Sequence, residues 1–113
     1  MHLRLLVLGL LLISIPALAQ DEPDRNIDLM RHCQTESADF QVACLSYIRG
    51  MMDMHGMMST KWGKSFYCLP KQGISGGQAV KIFVKWAEDH PERLHEFQFT
   101  GVILALAEAF PCN

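Results

Sequence analysis

The chain has 113 residues, half of them hydrophobic, with ten basic and twelve acidic side chains and a formal net charge of −2. A mildly acidic chain of this length holds one domain and lacks the basic footprint that nucleic-acid binding demands. No run of five like charges occurs, so a polybasic contact with a membrane surface has no support either.

Residues 1–19 have the layout of a secretory signal peptide: Arg4, an apolar run over residues 5–15, then Pro16-Ala17-Leu18-Ala19. Ala17-Leu18-Ala19 is a small-x-small cleavage signal, which makes Gln20 the expected mature N-terminus and residues 20–113 one exported, helical domain. The apolar run is shorter than the roughly 20 residues a bilayer span needs, so no membrane span is expected in the mature protein. No cysteine follows it closely enough to accept a lipid, since the first is Cys33.

Asp24 or Asn26 opens a short helical piece carrying Ile27, Met30 and Cys33, too short to be stable without packing or a disulfide. Ser37 then caps a helix predicted over residues 38–58, with Phe40, Ala43, Cys44, Tyr47, Ile48, Met51 and His55 spaced at three and four. Residues 59–74 mix Gly63, Pro70 and Gly73 with lysines and aromatics at no regular period, which reads as a loop. Loops of more than about 12 to 15 residues in a small domain are usually functional or disordered. This one carries Trp62, Phe66 and Tyr67 beside Lys61 and Lys64.

Ser75-Gly76-Gly77-Gln78 has capping-box form and starts a helix whose Ala79, Ile82, Phe83 and Trp86 make one stripe. Pro91 ends that helix, because His90 is disfavoured in the helical region before proline. Proline is also at home in a first turn, so the last helix is expected to follow almost without a linker. In that helix Phe99, Val102, Ile103, Leu106 and Phe110 make one apolar face and Leu94, Phe97, Gly101 and Leu104 another, which places it centrally or against a second subunit. The expected fold is all-α: a small disulfide-linked bundle of about four helices.

All four cysteines, Cys33, Cys44, Cys68 and Cys112, lie in the exported part, and an even count in a small secreted domain reads as two disulfides. None sits in the C-x-x-C spacing of zinc ribbons. If the last two helices are antiparallel neighbours, Cys112 returns to Cys68 and leaves Cys33 with Cys44. That pairing is favoured over the two alternatives that four cysteines allow. It requires Thr35-Glu36-Ser37 to break the helix, because eleven residues at about 1.5 Å each span about 16 Å against a Cα limit of roughly 7 Å.

Met51-Met52-Asp53-Met54-His55-Gly56-Met57-Met58 packs five methionines and a histidine into one segment. Thioethers with imidazole suit copper(I) or silver(I), with Met52, His55 and Met57 as the ligands left over once Met51, Met54 and Met58 join Tyr47 on a core stripe. Packing is the better reading of the segment, since methionine also serves cores and adaptable surfaces. His90, Glu92, His95 and Glu96 lack the four-apart spacing of zinc hydrolases. No motif sets a serine or free cysteine beside a base, and no cofactor is implied. An enzyme is not expected.

With these elements placed, the chain resembles the family of type VI secretion amidase immunity proteins, the Tai or resistance-associated immunity domain. The resemblance runs over residues 30–112 through Phe40, Cys44, Leu45, Tyr47, Ile48, Gly50 and Asp53, then Phe66, Cys68 and Pro70, then Ser75, Gln78, Val80, Val84 and Trp86. It continues through His90, Pro91, Glu92, Leu94 and His95 to Val102, Ala105, Leu106, Ala109, Phe110, Pro111 and Cys112. The histidine-proline-glutamate corner and the terminal Phe110-Pro111-Cys112 are its most specific parts; the methionine cluster is where the chain departs from the pattern.

The resemblance implies a periplasmic helical protein that binds an incoming peptidoglycan amidase effector, blocks its catalytic cleft, and forms a homodimer. Aromatics are enriched in binding hot spots, so Lys61, Trp62, Lys64 and Tyr67 are the expected partner-binding residues. Two other classes stand beside it: a periplasmic copper or silver binder, which a copper(I) titration would reveal, and a small envelope stress chaperone, which prevention of client aggregation at low pH would reveal.

Overall fold

A computed structural model describes residues 24–113; the signal peptide expected over residues 1–19 and its cleavage point lie outside the described residues. Four helices follow in chain order: α1 (Asn26–Gln34), α2 (Ala38–Trp62), α3 (Gly76–Asp89) and α4 (Gln98–Ala109), with one 3-10 turn at Pro91–Arg93. No strand occurs among the described residues beyond a single bridge between Arg25 and Phe97. The all-helical bundle is the architecture that the periodicity predicts.

Thr35, Glu36 and Ser37 interrupt the helix as the disulfide argument requires. Gln41 donates from its side-chain amide to the Thr35 carbonyl at 2.7 Å. The break lets Cys33 fold back on Cys44 with their Cα atoms 5.2 Å apart, and Cys68 joins Cys112 across a Cα separation of 5.0 Å. Helix α2 then runs one turn beyond its predicted end. Serine and threonine at positions 59 and 60 do not stop a helix, whereas Gly63 does: it takes the left-handed conformation (φ 63°), and the Gly63 and Lys64 amides return to the carbonyls of Ser59 and Met58. Lys61 and Trp62 therefore stand on the last turn of a 25-residue helix, not in a loop.

Ser75 caps α3, its hydroxyl accepting the Gln78 amide at 3.0 Å. Ala79, Phe83, Trp86 and Ala87 are the buried face. Gly76 allows α3 to start hard against α2, since a Cβ there would come within 2.8 Å of Leu45 Cδ1 and 3.0 Å of Arg49 Cδ.

The last helix does not follow Pro91 directly. After the 3-10 turn the chain turns again at Leu94 and His95, becomes extended at Phe97, and enters α4 only at Gln98, because the corner is bonded to the start of the domain. The Asn26 amide donates to the Glu96 carbonyl at 2.8 Å, Ile27 to Leu94 at 3.1 Å, and Gln98 to Asp24 at 3.1 Å. A bidentate Arg93–Glu96 pair, both contacts at 3.0 Å, closes the corner from outside. Once started, α4 is central: Gly101, Val102, Ala105 and Leu106 are buried, and it packs against α1, α2 and α3.

One knot locks these pieces. Asn26 is fully buried and donates its Nδ2 to the Arg93 carbonyl at 2.9 Å, while its side chain lies over the bare Cα of Gly101. A Cβ at position 101 would sit 2.6 Å from Asn26 Cγ. Gly101→Ala is therefore expected to overpack the α1–α4 contact and cost about 2 kcal/mol, read as a lower urea midpoint at unchanged slope. An unchanged midpoint would show that the knot yields without cost.

Candidate partner-binding surface

The core gathers Leu29, Cys44, Ile48, Tyr67, Ala79, Phe83, Trp86, Ala87, Val102, Ala105 and Leu106. Among the described residues the exposed large apolar side chains fall in three places: Phe40 and Val42 at the start of α2, Phe97 and Phe99 at the start of α4, and the largest group, Met54, Met57, Trp62 (62% exposed) and Phe66 (53%), toward the end of α2 and in the segment after it.

The segment from Lys64 to Ile74 has no helix but is pinned at several points. Ser59 and Ser65 share a hydroxyl hydrogen bond at 2.6 Å. His55 Nε2 accepts the amide of Phe66 at 3.0 Å and faces that of Tyr67 at 3.5 Å. The Cys68 amide donates to the Phe110 carbonyl at 2.8 Å, beside the disulfide to Cys112. Gly73, at φ 73°, closes a turn on the Pro70 carbonyl at 2.8 Å. A pinned segment presents side chains without a large ordering cost on binding.

Of the four predicted partner-binding residues, Lys61, Trp62 and Lys64 are exposed and share this end of the molecule. Tyr67 is not at the surface. It is 2% exposed, and its ring stacks on that of His55 at 3.7 Å with an interplanar angle of 13°. Burial pushes its hydroxyl pKa up to about 12. The chain bends at these two residues, which aims both amides at His55 Nε2 and leaves Tyr67 inward and Phe66 outward. Sequence reasoning cannot decide which of two adjacent aromatics is the inner one; the contact with His55 decides it.

Charge marks the same end. Between Asp53 and Glu88 the sequence has Lys61, Lys64, Lys71, Lys81 and Lys85 and no acid, so all twelve acids lie outside that stretch. Lys85 is paired with Asp89 at 2.8 Å, while Lys61, Lys64 and Lys71 form no ion pair among the described residues. Lys81 lies toward the start of α2, lining a hollow with Gln41 and Cys44, so of these five lysines Lys61 and Lys64 are the ones beside Trp62 and Phe66.

The methionine segment does not form the expected stripe. Met51 and Met52 pack against the core, whereas Met54 is exposed. Where α3 approaches α2 at Gly76, Met52 faces the α2–α3 side, lining one hollow with Leu45 and Ile74. Met52, His55 and Met57 are not assembled as ligands. Met52 and Met57 are about 140° apart around the helix at 3.6 residues per turn, and His55 Nε2 is already occupied. His90 is stacked on Trp86 at 4.7 Å with Nδ1 2.7 Å from the Trp86 carbonyl, and Glu96 is held by Arg93. No cluster of three or more His, Cys, Asp or Glu side chains that could hold a metal occurs among the described residues, and no helix there is long and apolar enough to cross a membrane.

Comparison with known proteins adds one positive finding. The family model described as Rap1a immunity proteins matches residues 26–112, from the start of α1 to the last cysteine. No curated protein is similar enough to the chain to count as a match.

Proposed function

The chain belongs to the family of Rap1a immunity proteins, and from that premise we propose that it is an exported inhibitor that binds a type VI secretion effector, a peptidoglycan amidase, and plugs its catalytic cleft. The single observation that carries the reading is the pairing of exposed Trp62 and Phe66 with Lys61 and Lys64, which have no ion-pair partner among the described residues, on a frame held by helix, hydrogen bonds and disulfide. Aromatic anchors on a preorganised surface are what a stoichiometric inhibitor needs. Lys61 and Lys64 beside them call for an acidic rim on the partner's cleft.

The site of action in this reading is the periplasm. Disulfides persist in oxidising compartments, and cleavage after Ala19 would leave intact Asp24, whose carbonyl accepts the Gln98 amide. The resemblance adds a homodimer, for which Phe40 and Val42 at the start of α2 and Phe97 and Phe99 at the start of α4 leave apolar side chains exposed.

The test pairs the oxidised, exported protein with amidases encoded beside its gene, and measures hydrolysis of peptidoglycan fragments. Stoichiometric loss of activity is expected. Full activity at a tenfold excess of this protein would sink the reading. The lysines make a second expectation: the association rate should fall about tenfold as sodium chloride rises from about 0.05 to about 0.5 M, because steering charges are screened. A salt-independent rate would remove the acidic rim from the proposal.

A further inference from the structure

Past the helix-ending bond from the Lys64 amide to the Met58 carbonyl, the recognition segment, residues 64–74, is held to α2 by the Ser59–Ser65 hydroxyl pair and by bonds from its two aromatic residues that converge on one imidazole. His55 Nε2 lies 3.0 Å from the Phe66 amide nitrogen and 3.5 Å from that of Tyr67. A backbone N–H can only donate, so Nε2 must carry the lone pair and the ring proton must sit on Nδ1. The ring is therefore neutral in this arrangement. Its face stacks on Tyr67 at 3.7 Å and meets Phe66 at 6.2 Å with a 46° tilt. These contacts turn Tyr67 into the core and Phe66 out.

We propose that His55 is the positioning residue of the recognition segment and an acid-sensitive latch: as neutral imidazole it holds Phe66 outward for the partner, and as imidazolium it releases the segment. The consequence for the partner rests on the reading of this surface as the docking site; the latch itself does not. Protonation at Nε2 sets one N–H against two others, so two attractive contacts become repulsive. Cys68, the residue after Tyr67, is tied to Cys112 by a disulfide, which does not titrate in this range, so the release is confined to the residues around Phe66 and Tyr67.

The groups around the ring do not oppose this. From the recognition segment, Phe66 is uncharged and the Tyr67 hydroxyl stays neutral, with its pKa near 12. On α2 itself Arg49, Asp53 and Lys61, and on the segment Lys64, form no ion pair with it among the described residues, and no charged side chain of α3 or α4 contributes. Burial alone lowers the His55 pKa below its ordinary 6.5. The unfolded or released state thus takes up the proton first. Docking is fully present above pH 6.5 and is lost as pH falls below 6.5 through the lowered value.

The test is an NMR titration of the ¹⁵N-labelled, oxidised, exported protein from about pH 8 to about pH 4.5. The Phe66 and Tyr67 amide signals are expected to move with one midpoint below pH 6.5, shared with the His55 ring signals. The exchange protection of the Phe66 amide should fall at least tenfold, while Ile48 and Phe83 in the core stay protected. His55→Gln supplies a neutral acceptor of similar reach and should keep the segment docked at every pH. Should that variant fail to fold, agreement between the ring and amide midpoints of the parent decides the matter alone. Amides that do not follow the His55 midpoint, or a step that persists in His55→Gln, overturn the proposal. A latch that titrates while affinity for the amidase stays level keeps the latch and removes the docking reading.

Discussion

Replacing Cys68 and Cys112 together by alanine is expected to destabilise the protein by about 4 kcal/mol, more than the chain-entropy cost of removing the inner bridge. The two cysteines are 44 residues apart, against 11 for Cys33 and Cys44. Constraint of the unfolded chain grows with the logarithm of the closed loop, which gives about 4 kcal/mol for the outer bridge and roughly 3 kcal/mol for the inner one. The outer loop encloses all of α3 and α4, so its loss frees half of the helical domain in the unfolded ensemble. A domain this small has only about 5 to 10 kcal/mol to lose. Native packing loses less than the unfolded chain gains, because both sulfurs lie on residues at the surface. Urea denaturation of the double alanine variant and of the parent measures the difference directly. A loss below about 1 kcal/mol would show that the unfolded chain is already compact around the bridge, and would overturn the entropic account.

What the sequence could say about this fold depended on how local each determinant is. The three-and-four spacing of Cys44, Ile48 and Met51, the Ser75 cap and the proline after His90 act within one or two turns, and the helices they predict are present. The disulfide pairing was legible because helix length and direction are rigid-body constraints. The late start of α4 was not. It is set by bonds from Asp24, Asn26 and Ile27 to a corner some seventy residues away in sequence, and no local pattern announces them. The same holds for the surface. Met52 goes inward on the side where Gly76 permits a close helix crossing while Met54 stays outward, and Tyr67 rather than Phe66 is buried where His55 offers a ring and an acceptor twelve residues earlier. Composition pointed to the right end of the molecule, and tertiary contacts chose which of its aromatics face a partner.

That choice sets up the sharpest test of the docking surface. Trp62→Ala is expected to weaken inhibition of the cognate amidase by roughly 100-fold, close to 3 kcal/mol, while leaving the urea midpoint nearly unchanged, since 62% of the residue is exposed. Tyr67→Ala should do the reverse in its first effect, removing a ring that is 2% exposed and costing about 3 kcal/mol of stability. Lys61→Glu and Lys64→Glu should act mainly on the association rate, because charges at a rim steer encounter more than they hold the complex. Inhibition constants and denaturation curves for the four variants separate these roles. The outcome that sinks the surface is a Trp62→Ala protein that inhibits within threefold of the parent: an indole fixed on the last turn of a 25-residue helix, and contributing nothing to binding, would place the partner on another face of the bundle.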